Sequence, residues 1–205
     1  MGSLRVTRLA RLPDPIRVAR ARRAPEFGPK LLFFSGGTAL RKLSRSLKLL
    51  THNSVHLITP FDSGGSSAVI RNEFGMLAVG DLRNRLMALA DETALGNPAN
   101  YDLFAHRLPK GEASQEALRR ELESMIQGDH PLIEPVQRPM RRIIRTHLRV
   151  FLEHAGPDFD LRGASIGNLI LTAGYLHNDG DIDSVIYLFS QLVEARGIVV
   201  PTVDA

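Results

Sequence analysis

Phe61-Asp62-Ser63-Gly64-Gly65-Ser66-Ser67 follows directly on the apolar run Val55-His56-Leu57-Ile58-Thr59, and Phe33-Phe34-Ser35-Gly36-Gly37-Thr38 lies upstream of it. Each is a short apolar run that breaks into glycine and hydroxyl residues. That pattern reads as a strand ending in a loop whose backbone N–H groups can close around a phosphate. Two such loops predict a diphosphate-bearing ligand across the carboxyl ends of parallel strands. Neither loop has the spacing of a dinucleotide fingerprint or a P-loop, since G-x-G-x-x-G and a Gly-Lys-Ser/Thr triplet are both absent.

Working outward, Lys30 to Phe34 reads as a buried strand, because parallel sheets require continuous apolar runs. Leu40, Leu43, Leu47 and Leu50 then recur at helical spacing with Arg41, Lys42, Arg45 and Lys48 opposite. With the strand at 55–59 this makes a β-α-β unit. Ser66 or Ser67 is placed to cap a helix carrying Val69, Ile70 and Phe74, and Asp81 to cap one over 82–90. Asn97-Pro98 reads as a loop. Further amphipathic helices are predicted at 115–126, closed by Gly128, from Pro139 onward, and at 182–195. Residues 129–137 read as a linker or an irregular excursion. Ile198-Val199-Val200 begins a last strand. The fold class expected is a Rossmann-like three-layer α/β domain with a mainly parallel sheet, over residues 31–205, preceded by an Arg-rich extension, 1–30.

Composition narrows the function classes. Hydrophobic residues make up 43% of the 205, enough for a real core, and no window is long and apolar enough to cross a bilayer. There is no cysteine, which excludes disulfides, thiol catalysis and Cys-based zinc sites. The net charge of +4 favours anionic partners. Residues 1–30 concentrate it, with eight basic side chains against two acidic ones and no apolar core of a secretory signal. Arg138, Arg141, Arg142, Arg145 and Arg149 form a second basic stripe. Aromatics are only 6% and none interleave with the arginines, so nucleic acid is not the expected partner.

Several residues carry the chemistry expected of a phosphate site. Gly64 and Gly65 offer backbone N–H groups, and Ser63, Ser66 and Ser67 offer hydroxyls that bind phosphate or cap the next helix. Asp62 reads two ways: a carboxylate holding a divalent cation that bridges diphosphate oxygens, or a turn carboxylate accepting backbone N–H groups. Arg83 and Asn84 sit in a first helical turn, within reach of an anion or a base edge. Gly167-Asn168 interrupts an apolar helical pattern. A glycine there costs about 1 kcal/mol of helix propensity and calls for a packing or ligand reason, and a buried amide must find partners. His147, on an apolar face, reads as a satisfied core histidine.

These blocks resemble the CofD-like family, which includes 2-phospho-L-lactate transferases and YvcK-type gluconeogenesis factors. The resemblance rests on Phe34-Ser35-Gly36-Gly37-Thr38-Ala39-Leu40, Asp62 to Ser67, Arg71-Asn72-Glu73-Phe74-Gly75 and Val79-Gly80-Asp81-Leu82-Arg83-Asn84. It resumes at Ser165 to Leu171 and at Pro201-Thr202-Val203-Asp204-Ala205. The Phe61-Asp62-Ser63-Gly64-Gly65 form is most similar to the CofD-like protein of the bacterial GAK gene system. The resemblance implies a fold that binds a nucleotide diphosphate or nucleotide-sugar. Gly36, Gly37 and Thr38 would line its phosphate pocket, Asp62 would hold magnesium or polarise the acceptor, and Asn168 would face the nucleotide. It implies either transfer chemistry forming a phosphodiester, or regulatory binding of a UDP-sugar without chemistry. It further implies a chain that is the amino-terminal part of a longer family fold; a cytoplasmic location fits the absence of cysteine, and a homo-oligomer is expected. Two positions depart from the family pattern. Ser35 and Ala39 stand where glycines are usual, and Ser63 where many members carry a second aspartate, which favours binding over catalysis.

Overall fold

The structure, a computed structural model, describes all residues except 1, 2, 4, 6, 8, 10, 11, 37, 38, 62, 63, 94, 95 and 203–205. Helix α1 (Pro15–Arg23) is capped by the Asp14 carboxylate and followed by a 3-10 turn, Pro25–Phe27. No residue of α1 is buried. Asn53 Nδ2 ties the following stretch to the domain by donating to Glu26 O and Gly28 O, at 2.8 and 2.9 Å.

Strands β1 (Leu31–Ser35) and β2 (Ser54–Ile58) flank α2 (Arg41–Leu47), giving the expected β-α-β unit. Seven helices follow before β3 (Ile198–Pro201) among the described residues. They are α3 (Gly65–Phe74), α4 (Val79–Leu89), α5 (Pro98–Ala105), α6 (Gln115–Gln127), α7 (Met140–His154), α8 (Ile166–His177) and α9 (Ile182–Leu192). The sheet has order β1-β2-β3 and is parallel throughout, with Phe33, His56 and Val199 in one row. The class is therefore Rossmann-like α/β, as expected.

The two faces of that sheet differ. His56, Ile58 and Val199 are buried on the face that α4 covers. On the other face Leu32, Val55 and Ile198 share a row, as do Phe34 and Leu57; Leu32, Phe34 and Ile198 are 56%, 73% and 56% exposed. Among the described residues α4 packs on the buried face, and the other carries these exposed apolar side chains.

Helices α4 and α8 are the axis of the molecule. An ordinary amphipathic helix buries one stripe, whereas one enclosed on all sides is apolar all round. In α4 every residue but Asn84 is buried, and α8 is buried continuously from Ile166 to Gly174. Leu82, Leu86 and Leu89 are fully enclosed, each worth about 1.5–3 kcal/mol of burial. The two helices touch each other, and the close approach explains Gly167. A Cβ there would lie 2.8 Å from Phe104 O and 2.9 Å from Arg83 Cδ, so the glycine is required by packing. Likewise a Cβ at Gly174 would lie 2.8 Å from Val185 Cγ1, where α9 crosses.

Several local expectations are corrected. Asp81 is not a cap: α4 begins two residues earlier, with Ala78 at the N-cap, and Asp81 is buried in the first turn. The cap of α3 is Gly64, so Ser66 and Ser67 fall inside the helix. Asn97-Pro98 opens α5, because proline at the first helical position lacks only an N–H that would have been unpaired anyway. The α7 arginine stripe is partly committed to structure. Arg145 Nε donates to Ile126 O at 2.6 Å, and Arg141 donates to Val136 O at 2.6 Å and to Glu134 O. His147 behaves as expected: its Nδ1 meets Ile143 O at 2.8 Å and burial lowers its pKa.

Candidate functional site

Three helices begin at one place. The starts of α3, α4 and α8 border a cavity of about 770 Å³, contributing Gly64 to Ser67, Gly80 and Asn168 respectively; Asn84 also lines it, but from the second turn of α4 rather than the first turn expected. Among the described residues none of the three has a side-chain cap. The first N–H groups of a helix have no partner within it and carry the positive end of its dipole. α4 carries the Asp81 carboxylate in its first turn, whereas α3 and α8 carry no acidic side chain there and suit an anion. Gly65 opens α3 with φ of +57°, a left-handed conformation that glycine adopts without strain.

The opposite wall comes from two loops joined across a long sequence separation. Leu108 N donates to Ala164 O, Gly163 N to Pro109 O and Ile166 N to His106 O, a short antiparallel ladder between 106–109 and 163–166. It brings Arg107, Lys110 and Arg162 to the cavity. Gly163 has φ of +65°, and Lys110 lies across it, its Cε 2.6 Å from where a Cβ would stand. Arg162 is bound to Asp160 through Nε, at 2.9 Å, and the guanidinium holds that carboxyl down at about 2. Among the described residues Arg107 and Lys110 form no ion pair, so the wall is net cationic. Val69, Ile70 and Phe159 supply apolar lining.

Asn168 is the most informative side chain here. It is 1% exposed, and its Nδ2 lies 3.4 Å from Ser66 Oγ while its Oδ1 has no partner among the described residues. An unmatched buried amide oxygen costs about 1–3 kcal/mol. It lies in a cavity wall, where a ligand N–H or O–H would satisfy it.

Of the residues expected at the site, Gly64, Gly65, Ser66, Ser67, Asn84 and Asn168 line this one cavity. Gly36 does not. It sits where the two strand-end loops meet, so close that a Cβ would be 2.7 Å from Thr59 Oγ1. Arg83 is turned into the protein rather than the cavity, bonded to Phe104 O, Ser165 Oγ and Asn84 Oδ1. Burial, with Arg107 close by, lowers its guanidinium to about 10, so it remains a cation at neutral pH. Gly37, Thr38, Asp62 and Ser63 lie outside the described residues. Sequence reasoning missed Arg107, Lys110 and Arg162.

Magnesium finds no donor set among the described residues. No group of three His, Asp or Glu side chains there is placed to hold a cation. Asp160, the carboxylate of the cavity wall, has its oxygens taken by Arg162 and Gln115. A metal role for Asp62 stays an expectation. Among the described residues no helix is long and apolar enough to cross a membrane.

A parallel α/β sheet with helix starts gathered around one cavity defines a Rossmann-like α/β protein. The family is more specific. The model of the 2-phospho-L-lactate transferase CofD family matches residues 31–205, and the chain belongs to that family. The gluconeogenesis factor of Bacillus subtilis is 30% identical over 177 residues, which cover 86% of this chain and 39% of that protein. A putative gluconeogenesis factor of Nostoc is 43% identical over 97 residues, covering 47% of this chain and 20% of the relative. A crystal structure of a UPF0052-family protein from Bacillus halodurans superposes with a TM-score of 0.54 at 26% identity, covering 86% of this chain and 40% of that one. The chain thus spans about two-fifths of the length of the Bacillus proteins.

Proposed function

We propose that this chain binds a nucleotide diphosphate or nucleotide-sugar in the cavity at the starts of α3, α4 and α8, as part of a transferase of the 2-phospho-L-lactate type. The observation that carries the reading is the pairing of those helix starts with the unmatched Asn168 Oδ1. The diphosphate of a nucleotide-sugar carries no O–H at neutral pH, so there the amide oxygen would accept from a ribose hydroxyl or a base N–H group. The diphosphate would lie against Gly64 to Ser67 and Gly80, with the Asn84 amide and the cations of the opposite wall beside it. Val69, Ile70 and Phe159 suit the face of a base or sugar. In the transferase reading Asp62 positions the acceptor or a magnesium ion, and Gly37 and Thr38 contribute from the first loop.

A second reading, regulatory binding of a UDP-sugar without chemistry, is favoured by the relatives, several of which are gluconeogenesis factors. The two are separated by thermal-shift melting with GDP, UDP and UDP-N-acetylglucosamine, each with and without magnesium. A ligand at one hundred times its Kd adds about 2.7 kcal/mol of stability. A guanine-specific, magnesium-dependent shift lost in Asp62→Ala supports the transferase. A UDP-sugar shift indifferent to magnesium supports the regulator. No shift with any ligand overturns the nucleotide reading.

A further inference from the structure

Arg83 has a role that its burial disguises. The guanidinium donates to Ser165 Oγ at 2.5 Å, to Asn84 Oδ1 at 2.7 Å and to Phe104 O at 3.4 Å. Ser165 is the N-cap residue of α8, and serine at that position ordinarily accepts an N–H from the second or third residue of its helix. Here it makes no such bond, because its oxygen faces Arg83 and Phe104 O instead. Among the described residues neither Gly167 N nor Asn168 N has a hydrogen-bond partner.

The Asn84 carboxamide is fixed in the same way. A guanidinium only donates, so the oxygen of Asn84 must face Arg83 and its NH₂ is left for the cavity that Asn84 lines. Among the described residues Arg83 forms no ion pair. A buried cation without a counter-ion destabilises the protein unless an anion arrives nearby.

We infer that Arg83 is a positioning residue that prepares the cavity for an anion, by drawing Ser165 away from the start of α8 and turning the Asn84 NH₂ toward the ligand. Gly167 belongs to the same device, since its missing side chain makes room for the Arg83 stem. The inference rests on the nucleotide-diphosphate reading of the cavity, but one consequence does not depend on any ligand. With Arg83 replaced, Ser165 is free to cap α8.

The test uses Arg83→Met and Arg83→Lys in the full chain. Without ligand, amide hydrogen exchange at Gly167 and Asn168 should slow by about tenfold in Arg83→Met, as the serine hydroxyl takes up the cap. With UDP and GDP as probes, both variants should bind about tenfold or more weakly than the parent. Their melting temperature without ligand should stay unchanged or rise. If Arg83→Met does not fold, Arg83→Lys carries both readouts, since lysine can hold only part of the fork. Unchanged exchange at Gly167 and Asn168 overturns the inference, as does nucleotide affinity equal to that of the parent. A parent protein that binds neither nucleotide overturns the reading of the cavity, and exchange then decides the role of Arg83 by itself.

Discussion

Asn168, in the first turn of α8, and Ser66, in the first turn of α3, stand 102 positions apart in the chain and meet at 3.4 Å between Nδ2 and Oγ. The contact joins two helix starts at the wall of one cavity and leaves the other end of the amide without a partner among the described residues. Replacing Asn168 therefore separates binding from stability. Asn168→Leu should leave stability without ligand within about 1 kcal/mol of the parent, because it removes an unmatched buried acceptor. It should weaken nucleotide binding by about tenfold. Chemical denaturation and calorimetric titration of the same sample check both numbers.

The cationic wall makes a different prediction. Lys110 is exposed and forms no ion pair among the described residues, so Lys110→Ala should leave the melting temperature unchanged. Nucleotide affinity should drop several-fold, and the dependence of affinity on salt should flatten, because one screened attraction is gone. Titrations at low and high ionic strength read this directly. A salt dependence identical to that of the parent would remove Lys110 from the site.

Gly167 tests the close packing of α8. A methyl group there meets Phe104 O and the Arg83 stem at less than 3 Å, and Phe104 O is backbone. Gly167→Ala should destabilise the protein by about 1–3 kcal/mol even though alanine is the better helix former. A stabilised variant would mean that α8 does not approach Phe104 and Arg83 so closely.

His56 sets a pH dependence. Its side chain is 1% exposed, and burial, together with the nearby Arg85 cation, holds the imidazole at about 4, below the usual 6.5. Between those values the unfolded chain binds a proton that the folded chain does not. Stability is thus fully present above about 6.5 and is lost as pH falls toward 4, by about 1.4 kcal/mol per pH unit at most. His130 and His147 are shifted in the same direction and add to the slope. Denaturation midpoints from pH 7.5 to 4.5 should show the loss, and His56→Gln should reduce it. An equal slope in the variant would assign the loss to other groups.

The strands and the amphipathic helices were legible because their signals are local. Leu31 to Phe34 and the α6 pattern each announce themselves within a dozen residues. Helix α5 was hidden by Asn97-Pro98, a dipeptide that serves equally as a loop and as a helix start. The α4 boundary slipped because Asp81 is a good cap residue whose position in the fold is set by the burial of its whole helix. Half of the cavity was readable from the Gly64-to-Ser67 block and Asn168. The other half, Arg107, Lys110 and Arg162, depends on a ladder between loops over fifty residues apart, and no local pattern marks it. The orientation of Arg83, away from the cavity, has no local signal, since nothing in the sequence says that Gly167 leaves a space for its stem.

Every binding prediction above depends on a nucleotide diphosphate binding where α3, α4 and α8 begin. Titration of ¹⁵N-labelled protein with UDP and GDP, followed by amide chemical shifts, tests it most directly. Saturable shifts are expected at Gly65, Ser66, Ser67, Gly80, Gly167 and Asn168, with the Asn84 and Asn168 side-chain amides moving with them. Shifts confined to another surface, or none up to millimolar nucleotide, would contradict it.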